Sequence, residues 1–341
     1  MDTSNFLQTR PARRRDYSFL RLLIAAFSTL WQPADNPGLA ILFFHRVRPQ
    51  VDPLYPEELD SRRFAETMEV LAECFHCLPL DEALVRLATG ASLPPRAVAI
   101  TFDDGYADNY TEALPILLEY GLTATFFVAS GFLDGGCMWN DEAVELIRAY
   151  PGGELDLSPL GLGEHPCRSL GERQAAIAAV KAILKYRAPE ARQEILDRLR
   201  QITGAGPQPD LMLSSAQVRD MAARGMGIGG HTLGHPILAC VDDARARREI
   251  GEDRERLAAI TGEAPALFAY PNGKPHRDFE ARHAAMVKAA GYKAAFTTVW
   301  GVASRGIDPF QIPRFSPWDR QPLRFALRLA HNYSRRSFQV A

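Results

Sequence analysis

The stretch Val98–Tyr106 reads Val-Ala-Ile-Thr-Phe-Asp-Asp-Gly-Tyr, and its order of residue types decides the fold. Its first five residues are apolar or β-branched, as in a buried strand. Asp103 and Asp104 follow at once, and a protein interior accepts such charges only when they are paired or bound to a metal. Gly105 then allows a turn, and a helical pattern resumes at Asp108–Tyr120. The sequence therefore predicts a strand that delivers two carboxylates to an opening at its carboxyl end, where α/β folds place their chemistry.

Short apolar runs separated by helical patterns recur along most of the chain. Their connections carry no hairpin signals, so the runs are expected to pair in parallel through right-handed β/α units. The predicted fold class is α/β, with a parallel β/α barrel of about seven strands, because this number suits a barrel better than an open sheet. The predicted strands are Leu39–His45, His76–Leu80, Val98–Phe102, Ala124–Val128, Gly225–Gly230, Leu267–Tyr270, Ala294–Thr297 and Ile312–Phe315.

The pattern changes between about residues 134 and 212, where glycine, proline and charged residues increase. This segment predicts helices at Glu142–Tyr150 and Arg173–Ile202, and no strand. We interpret it as a helical insertion on the rim of the barrel that shapes a substrate cleft, with a separate small domain as the alternative. The predicted domains are an N-terminal helical extension at 1–36, a catalytic barrel at 37–321 that contains the insertion, and a C-terminal helix and tail at 322–341.

The bulk composition is that of a globular protein, with 47% hydrophobic and 23% charged residues in a chain of 341. The 39 basic and 41 acidic residues nearly cancel, so no overall field favours nucleic acid as a partner. The five cysteines are an odd number and do not predict a disulfide framework.

Residues 13–31 join three arginines to an apolar run that Arg21 interrupts. The run is shorter than the about 20 apolar residues that span a bilayer, and no small-residue cleavage site follows it. Two interpretations remain open: an amphipathic helix packed on the body, and a helix in peripheral contact with a membrane surface. Because no clear signal sequence is present, we expect the protein in the cytoplasm or at the cytoplasmic membrane surface.

A second group of candidate site residues is Gly229-Gly230-His231-Thr232-Leu233-Gly234-His235-Pro236. The glycines and the proline disfavour a helix, so His231 and His235 are expected on a loop that leaves a strand. Parallel strands end at the same edge of a barrel, which places this loop beside Asp103 and Asp104. One carboxylate and two imidazoles with open positions suit a catalytic zinc ion or a harder divalent metal. The sequence therefore predicts a divalent metal site.

These motifs resemble those of the polysaccharide deacetylase family, the carbohydrate esterases related to chitooligosaccharide deacetylases. Thr-Phe-Asp-Asp-Gly-Tyr at 101–106 is similar to the first family motif, and His-Thr-x-x-His at 231–235 is similar to the second. Phe-Ala-Tyr-Pro-Asn-Gly at 268–273 is similar to the third. Phe-His-Arg-Val at 44–47 looks like the branch of poly-N-acetylglucosamine deacetylases. The resemblance extends from about residue 39 to residue 315, outside the insertion.

The resemblance implies a deformed β/α barrel and a metal-dependent hydrolase that removes N-acetyl groups from sugars. By the family pattern, Asp103 is the general base, and the metal ligands are Asp104, His231 and His235. The implied metal is zinc, with cobalt or nickel as alternatives, and the third motif implies an oxyanion donor at Asn272. General chemistry agrees: a metal polarises the carbonyl and acidifies a water, while an unligated carboxylate takes the proton.

The departing amine needs a general acid, and the chain offers two histidines for this role. The poly-N-acetylglucosamine branch uses the histidine of its first strand, which implies His45, whereas other members use a Leu-x-His motif, which His331 matches. We favour His45 because it ends a buried strand at the predicted active face, while His331 lies in a predicted outer helix. The chain also lacks the arginine that the common third motif pairs with the base, and Arg314 is the candidate to supply that charge.

Aromatic faces stack on sugar rings, so several residues are candidates for a sugar groove, with core packing as the alternative for each. The candidates are Tyr106, Tyr270, Pro271 and Trp139, followed by Asn140 and Trp318. The leading hypothesis is metal-dependent N-deacetylation of a polysaccharide, an oligosaccharide or a lipid-linked glycan. The alternatives are the same metal chemistry on a non-sugar amide and a noncatalytic glycan-binding protein; the complete set of polar site residues argues against the second.

Overall fold

A computed structural model describes residues 16–31, 38–206, 209–317 and 319–334. Within these ranges, most of the apolar runs form strands. The strands are β1 (Leu39–Phe44), β2 (Val47–Arg48), β3 (Leu59–Asp60), β4 (His76–Cys77), β5 (Ala97–Phe102), β6 (Thr125–Val128), β7 (Glu154–Asp156), β8 (Glu164–Pro166), β9 (Gly227–Gly230), β10 (Leu267–Ala269) and β11 (Ala294–Phe296). Every residue of β1 and β5 is buried, as expected for strands that are covered on both faces.

Seven of these strands form one parallel sheet in the order β1-β5-β6-β9-β10-β11, with β4 beside the first residues of β5. The segment Ile312–Phe315 joins the two edges of this sheet through isolated parallel bridges. Ile312 bridges to Phe296 in β11, and Phe315 bridges to Leu42 in β1. The structure therefore confirms the predicted deformed β/α barrel, whose last segment pairs only at its two ends.

Helices connect the strands and pack beside them. They are α1 (Ser18–Trp31), α2 (Ser61–Cys74), α3 (Leu80–Thr89), α4 (Leu114–Glu119), α5 (Trp139–Ala149), α6 (Leu170–Leu184), α7 (Pro189–Thr203), α8 (Ser215–Ala223), α9 (Asp243–Thr261), α10 (Ala281–Ala289) and α11 (Pro322–Asn332). Between β5 and α4, residues Asn109–Ala113 form a turn of π-helix, a feature that is frequent at functional sites.

Two expectations for the insertion are wrong. The single helix expected at Arg173–Ile202 is divided into α6 and α7, because Pro189 cannot continue a helix and instead occupies the first position of a new one. In addition, β7 and β8 pair as a short antiparallel hairpin where no strand is predicted. Leu155 is buried between two exposed acidic residues in β7, which is the alternation of a half-buried strand.

The insertion has a hydrophobic core of its own, to which α5, α6 and α7 contribute. Its C-terminal end joins the barrel beside the first motif. Met212 forms an antiparallel bridge with Tyr106, and the amide of Leu213 donates to the Gly105 carbonyl at 2.9 Å. These contacts hold the insertion at the rim next to the two aspartates.

The N-terminal helix α1 packs against α2 and α11. Leu20 and Ile24 are buried in the shared core, whereas Phe19 and Leu22 are 77% and 71% exposed. The described part of the segment 13–31 is therefore an amphipathic helix on the body, and residues 13–15 lie outside the described residues. Within the described ranges, no helix combines the length and the hydropathy needed to cross a bilayer.

Candidate active site

A cavity of about 660 Å³ opens at the carboxyl ends of the barrel strands. Its walls come from the loops after β1, β5, β9 and β10, and from α5 and α6 of the insertion. The polar and aromatic side chains that line it include His45, Arg46, Arg48, Asp103, Asp104, Tyr106, Trp139, Asn140, Asp141, Lys181, Lys185, His231, His235, Asn272 and Lys274. The three sequence motifs thus meet in one cavity of ligand-binding size.

The motif loops hold four non-glycine residues in left-handed backbone conformations. The φ angle is 76° at Asp104, 67° at Thr232, 50° at His235 and 59° at Asn272. Such angles are uncommon for residues with a Cβ, and they collect at functional sites because tertiary contacts must enforce them. For three of the four, Asp104, His235 and Asn272, the motifs imply a role in metal binding or catalysis.

Asp104, His231 and His235 bring three potential ligand atoms within 4.8 Å of one another. The Nε2 atoms of both histidines lie 3.3 Å from Oδ1 of Asp104. Nδ1 of His231 donates to the Ala269 carbonyl at 2.7 Å. Because a carbonyl only accepts, Nδ1 carries the proton, and Nε2 presents its lone pair to the site. Electron-rich atoms therefore converge from three side chains, which is the donor arrangement of a divalent-cation site.

The protonation of these groups also suits a cation. Burial raises the pKa of Asp104, but the adjacent His231 and the other nearby imidazoles outweigh it, so the pKa is lowered and the carboxylate is ionised. Burial lowers the pKa of His235 to about 3, which leaves its ring neutral with a lone pair. Burial acts in the same way on His231, yet Asp104 and Asp103 leave its pKa raised. The site therefore stabilises an added positive charge.

Glycine makes room for the loop that carries the histidines. A Cβ on Gly230 would lie 2.1 Å from the hydroxyl of Tyr292 and 2.8 Å from Oδ2 of Asp253. The Asp253 carboxylate is itself needed, because it accepts the backbone amides of His231 at 3.0 Å and Ser130 at 3.1 Å. Asp253 is fully buried, so these bonds satisfy its oxygens and fix the point at which the loop begins.

Asp103 forms a bidentate ion pair with Arg314 behind the cavity wall. Nη1 and Nη2 of the arginine each donate to one carboxylate oxygen at 2.7 Å. Arg314 is fully buried, and it also donates to the Thr297 carbonyl and the Thr101 hydroxyl. Burial raises the pKa of Asp103, but the charge and the hydrogen bonds of Arg314 outweigh it and lower the pKa. Asp103 is thus an ionised carboxylate in a fixed orientation, and each of its oxygens keeps a lone pair that can accept a further hydrogen bond.

His45 follows β1 directly and lines the cavity. Its carbonyl accepts the side-chain amide of Asn109, in the π-helical turn, at 2.8 Å. Beside it, Nε of Arg46 and the backbone amide of Val47 donate to the Asp108 carboxylate at 2.8 and 3.1 Å. These bonds fasten the loop of His45 to the turn that follows the two aspartates. Among the described residues, neither ring nitrogen of His45 has a hydrogen-bond partner.

His331, the second candidate for the general acid, lies elsewhere. It is exposed near the end of α11, a helix that packs against α1 and α2. It is not one of the described residues that line the cavity. The geometry therefore favours His45 for contact with a substrate.

Asn272 lines the cavity from the loop after β10. Its carbonyl accepts the Thr298 hydroxyl at 2.6 Å. The next residue, Gly273, has a φ of 68°, and a Cβ there would lie 2.9 Å from the Thr298 amide nitrogen, so the turn requires glycine. The backbone N–H of Asn272 has no acceptor within the part of the chain that the structure describes. This donor is therefore available for a ligand.

Three of the candidates for a sugar groove line the cavity: Tyr106, Trp139 and Asn140. Tyr106 is buried and donates its hydroxyl to Oδ2 of Asp141 at 2.9 Å, while the Arg46 guanidinium lies 4.7 Å from its ring centre. Trp139 begins α5, and the Arg192 guanidinium lies 4.5 Å from its ring centre. Both rings are therefore held in place at the junction of barrel and insertion.

Tyr270 and Pro271 do not line the cavity, contrary to the prediction. Tyr270 is 1% exposed, stacks on Phe279 with ring centres 3.8 Å apart, and donates its hydroxyl to the Phe310 carbonyl at 3.0 Å. Pro271 is buried as well. These residues support the turn that presents Asn272, because their side chains pack into the core. Trp318, a further candidate, lies outside the described residues.

Sequence reasoning missed several charged residues of the cavity, and four of them bear on the argument below: Asp141, Lys181, Lys185 and Lys274. Burial raises the pKa of Asp141 to about 6. Three of the four belong to the insertion, whose position over the cavity no local pattern reveals. Lys181 lies in the last turn of α6 and Lys185 is its C-cap residue, where basic side chains are favourable in any helix, so their spacing alone does not indicate a role in the cavity.

The sequence profile of polysaccharide deacetylases matches residues 90–156 and 176–295, which is more than half of the chain. The chain belongs to the polysaccharide deacetylase family. This membership confirms the resemblance carried by the motifs. It also confirms the predicted enzyme class, a hydrolase that acts on carbon–nitrogen bonds other than peptide bonds.

Individual relatives of this deacetylase are distant. A Bacillus subtilis (strain 168) protein with the name polysaccharide deacetylase YxkH is 21% identical over 283 residues, which cover 82% of this chain and 71% of that protein. The poly-beta-1,6-N-acetyl-D-glucosamine N-deacetylase of Escherichia coli (strain K12) is 31% identical over 111 residues, which are 30% of this chain and 16% of that protein.

Among solved structures, IcaB from Ammonifex degensii has a similar fold. It superposes with a TM-score of 0.55 at 20% identity, and the superposition covers 87% of this chain and 97% of that one. At this identity, the likeness shows a shared fold, which agrees with the barrel described above.

Proposed function

We propose that the protein is a divalent-metal-dependent deacetylase that removes the acetyl group from an N-acetylated sugar of a glycan or a lipid-linked sugar. One observation carries most of the proposal. The donor set of Asp104, His231 and His235 meets an ionised, arginine-bound carboxylate in a single cavity at the carboxyl end of the barrel. The Escherichia coli relative is named for N-deacetylation of poly-N-acetylglucosamine, which supports an N-acetylated amino sugar as the substrate unit.

Asp104, His231 and His235 would hold the ion. We propose zinc, with cobalt or nickel as alternatives. Three protein ligands leave coordination positions open, which is typical of catalytic sites and not of structural ones. When bound, a divalent ion supplies Lewis acidity for the acetamide carbonyl and for the attacking water.

Asp103 is the proposed general base. It is engaged by Arg314 and not by the histidines, so it remains available to accept a proton from the attacking water. As the water oxygen adds to the carbonyl carbon, negative charge develops on the carbonyl oxygen. The backbone N–H of Asn272, which has no acceptor among the described residues, is the proposed donor to that oxygen.

His45 is the proposed general acid. The carbon–nitrogen bond breaks as its imidazolium gives a proton to the amine nitrogen, so that acetate and a free amino sugar leave. Tyr106 and Trp139 are proposed to contact the sugar through their rings, because both line the cavity close to the insertion.

Acetate release tests the proposed function. Protein loaded with zinc, cobalt or nickel is offered N-acetylglucosamine oligomers and lipid-linked N-acetylated sugars. We expect release by the wild type and a loss of about 100-fold or more in Asp103→Asn. If metal-loaded protein released acetate from none of them, a noncatalytic glycan-binding protein or a hydrolase of non-sugar amides would replace the proposal.

A second comparison tests the general acid. His45→Ala should lower kcat by about 100-fold or more, while His331→Ala serves as the matched control and should retain turnover. Loss of turnover in His331→Ala, with a near-normal rate in His45→Ala, would transfer the role to His331.

We also propose that the protein stays in the cytoplasm and contacts the membrane surface through residues 13–31. The exposed apolar side chains of Phe19 and Leu22 on α1 support this contact. Removal of residues 1–36 should then lower the share of protein that sediments with membranes. An unchanged share would argue that α1 only covers the body.

A further inference from the structure

Three lysines in the active-site cavity have no acidic partner. Lys181 comes from α6 of the insertion, Lys185 is the C-cap residue directly after it, and Lys274 comes from the loop after β10. Within the described ranges, no carboxylate oxygen lies within 4.0 Å of their ammonium nitrogens. Two of these nitrogens lie over aromatic rings instead, at 5.8 Å from the centre of Tyr55 for Lys181 and 5.7 Å from that of Tyr186 for Lys185.

Most of the other charged groups of the cavity pair with an opposite charge. These pairs are Arg46 with Asp108, Arg48 with Glu58, Glu57 with Arg320, and Asp103 with Arg314. Two carboxylates of the cavity have no lysine or arginine within 4.0 Å among the described residues: Asp141, which accepts the Tyr106 hydroxyl and lies in the field of Lys181, and Asp104, which contacts the two histidines. The three lysine charges therefore outnumber the two carboxylates that could offset them.

The lysines are close enough to repel one another. Burial lowers the pKa of Lys185; Asp278 opposes this effect, and Lys274, Arg277 and Lys181 add to the lowering. Asp278 is buried, and its carboxylate already accepts the backbone amide of Lys274 at 3.0 Å. Lys181, in the last turn of α6, and Lys185, its C-cap residue, thus place two like charges at one end of the helix. A bound anion would relieve this repulsion.

We propose that these lysines bind a phosphate ester of the substrate, so that the enzyme acts on an N-acetylated sugar that carries a phosphate or a diphosphate. Three ammonium groups exceed the single charge of a sugar carboxylate, whereas a phosphate monoester carries about 1.5–2 negative charges near neutral pH. Lysine is a frequent phosphate ligand that acts as a point charge. The inference rests on the proposed function, and the phosphate comes from a lipid-linked sugar or from a nucleotide sugar.

Binding to metal-free protein tests the site without the metal or catalysis. The probes are N-acetylglucosamine, N-acetylglucosamine 1-phosphate and UDP-N-acetylglucosamine in solution, and an undecaprenyl-diphosphate-linked N-acetylglucosamine in micelles. We expect the phosphorylated probes to bind at least about 10-fold more tightly than the neutral sugar, and this advantage to shrink in about 0.5 M salt. The probe with the largest advantage identifies the source of the phosphate. Equal dissociation constants for all four would overturn the inference.

Variants test whether the lysines cause the tighter binding of phosphorylated probes, which is called the advantage below. Lys185→Ala and Lys274→Ala should each reduce it by about 10-fold, and Lys185→Arg should restore most of it because the charge returns. Lys288→Ala, on the exposed face of α10, is the matched control and should keep the full advantage. If the alanine variants bound phosphorylated probes as tightly as the wild type and the control, another group would be the anion site, and the inference would fail.

Acetate release then separates this inference from the proposed function. With metal-loaded protein, the ratio of kcat/KM for phosphorylated over neutral sugars should exceed 1 and fall in the lysine variants. If the enzyme hydrolysed neutral and phosphorylated sugars with equal kcat/KM, and the lysine variants left that ratio unchanged, the inference would be overturned. The proposed function would still stand. Tight, lysine-dependent binding without acetate release from any sugar would support the anion site and overturn the proposed function.

Discussion

Arg314→Ala removes the cation from the buried pair at the proposed base. Asp103 and Arg314 are both almost completely buried, and two hydrogen bonds of 2.7 Å join them. Loss of one partner leaves an unpaired charge in the interior, which costs about 3–5 kcal/mol of folding free energy. Arg62→Ala is a matched control, because the Arg62 side chain is 68% exposed and its pair with Glu66 should contribute little to stability.

The stability lost in Arg314→Ala should depend on pH, and the sign of this dependence follows from the pKa of Asp103. In the wild type, the pull of Arg314 outweighs burial and lowers the pKa of Asp103, so the pair stabilises the fold above the unfolded pKa and loses this effect as the pH falls through the folded pKa. In the variant, burial remains but the opposing charge and hydrogen bonds of Arg314 are lost, so the pKa of Asp103 rises relative to the wild type. The destabilisation relative to wild type should therefore grow as the pH rises from about 4 toward neutrality. The same upward shift of the pKa moves the acid limb of the rate profile to higher pH, so kcat falls on that limb.

Three measurements on one preparation check this prediction. Urea unfolding at about pH 5 and about pH 8 gives the stability difference, and the pH profile of acetate release gives the acid limb of the rate. Metal analysis gives the number of ions per chain, which should be unchanged because Arg314 contacts none of the three ligands. A variant with the wild-type rate and acid limb would refute the assigned role. Loss of metal would show that the arginine supports the ligand set instead.

Two further perturbations separate the roles of similar residues. Asp104→Ala should lose bound metal, whereas Asp103→Asn should keep it and lose turnover; metal loss from both, measured per chain, would contradict this division. Gly230→Ala should lower the free energy of unfolding by about 1–3 kcal/mol, because its Cβ would lie 2.1 Å from the Tyr292 hydroxyl. Gly251→Ala, in the open middle of α9, should instead raise it by about 0.5–1 kcal/mol, and similar values for both would contradict the steric argument.

Features that a few consecutive residues determine were predictable from the sequence. Val98–Tyr106 contains both a fully buried strand and the point at which its carboxylates emerge, and the structure has this strand at Ala97–Phe102. The glycines around His231 likewise indicate a loop after a strand, since only glycine tolerates the close contacts there. Strand ends and turns are local, and parallel pairing then brings several of them to one edge. The barrel and its catalytic end follow from that rule.

Features that depend on distant segments were not predictable. Lys181 and Lys185 reach the cavity only because the insertion folds on its own core and attaches beside Tyr106. Tyr270 shows a limit of motif matching: β10 ends at Ala269, so strand alternation no longer tells which side chain after it faces the cavity. The break of the predicted helix at Pro189 is different, because a proline rule applied locally predicts it.

The ring of strands is completed by the segment Ile312–Phe315, and that segment also carries Arg314. The arginine lies 211 positions after the carboxylate it neutralises. Ribosomes make a chain from its N-terminus, so a nascent or C-terminally clipped chain holds all three candidate metal ligands before it holds the counterion of the base. We expect a chain that ends before this segment to lack both the ion pair of the proposed base and the bridges that join the two edges of the sheet.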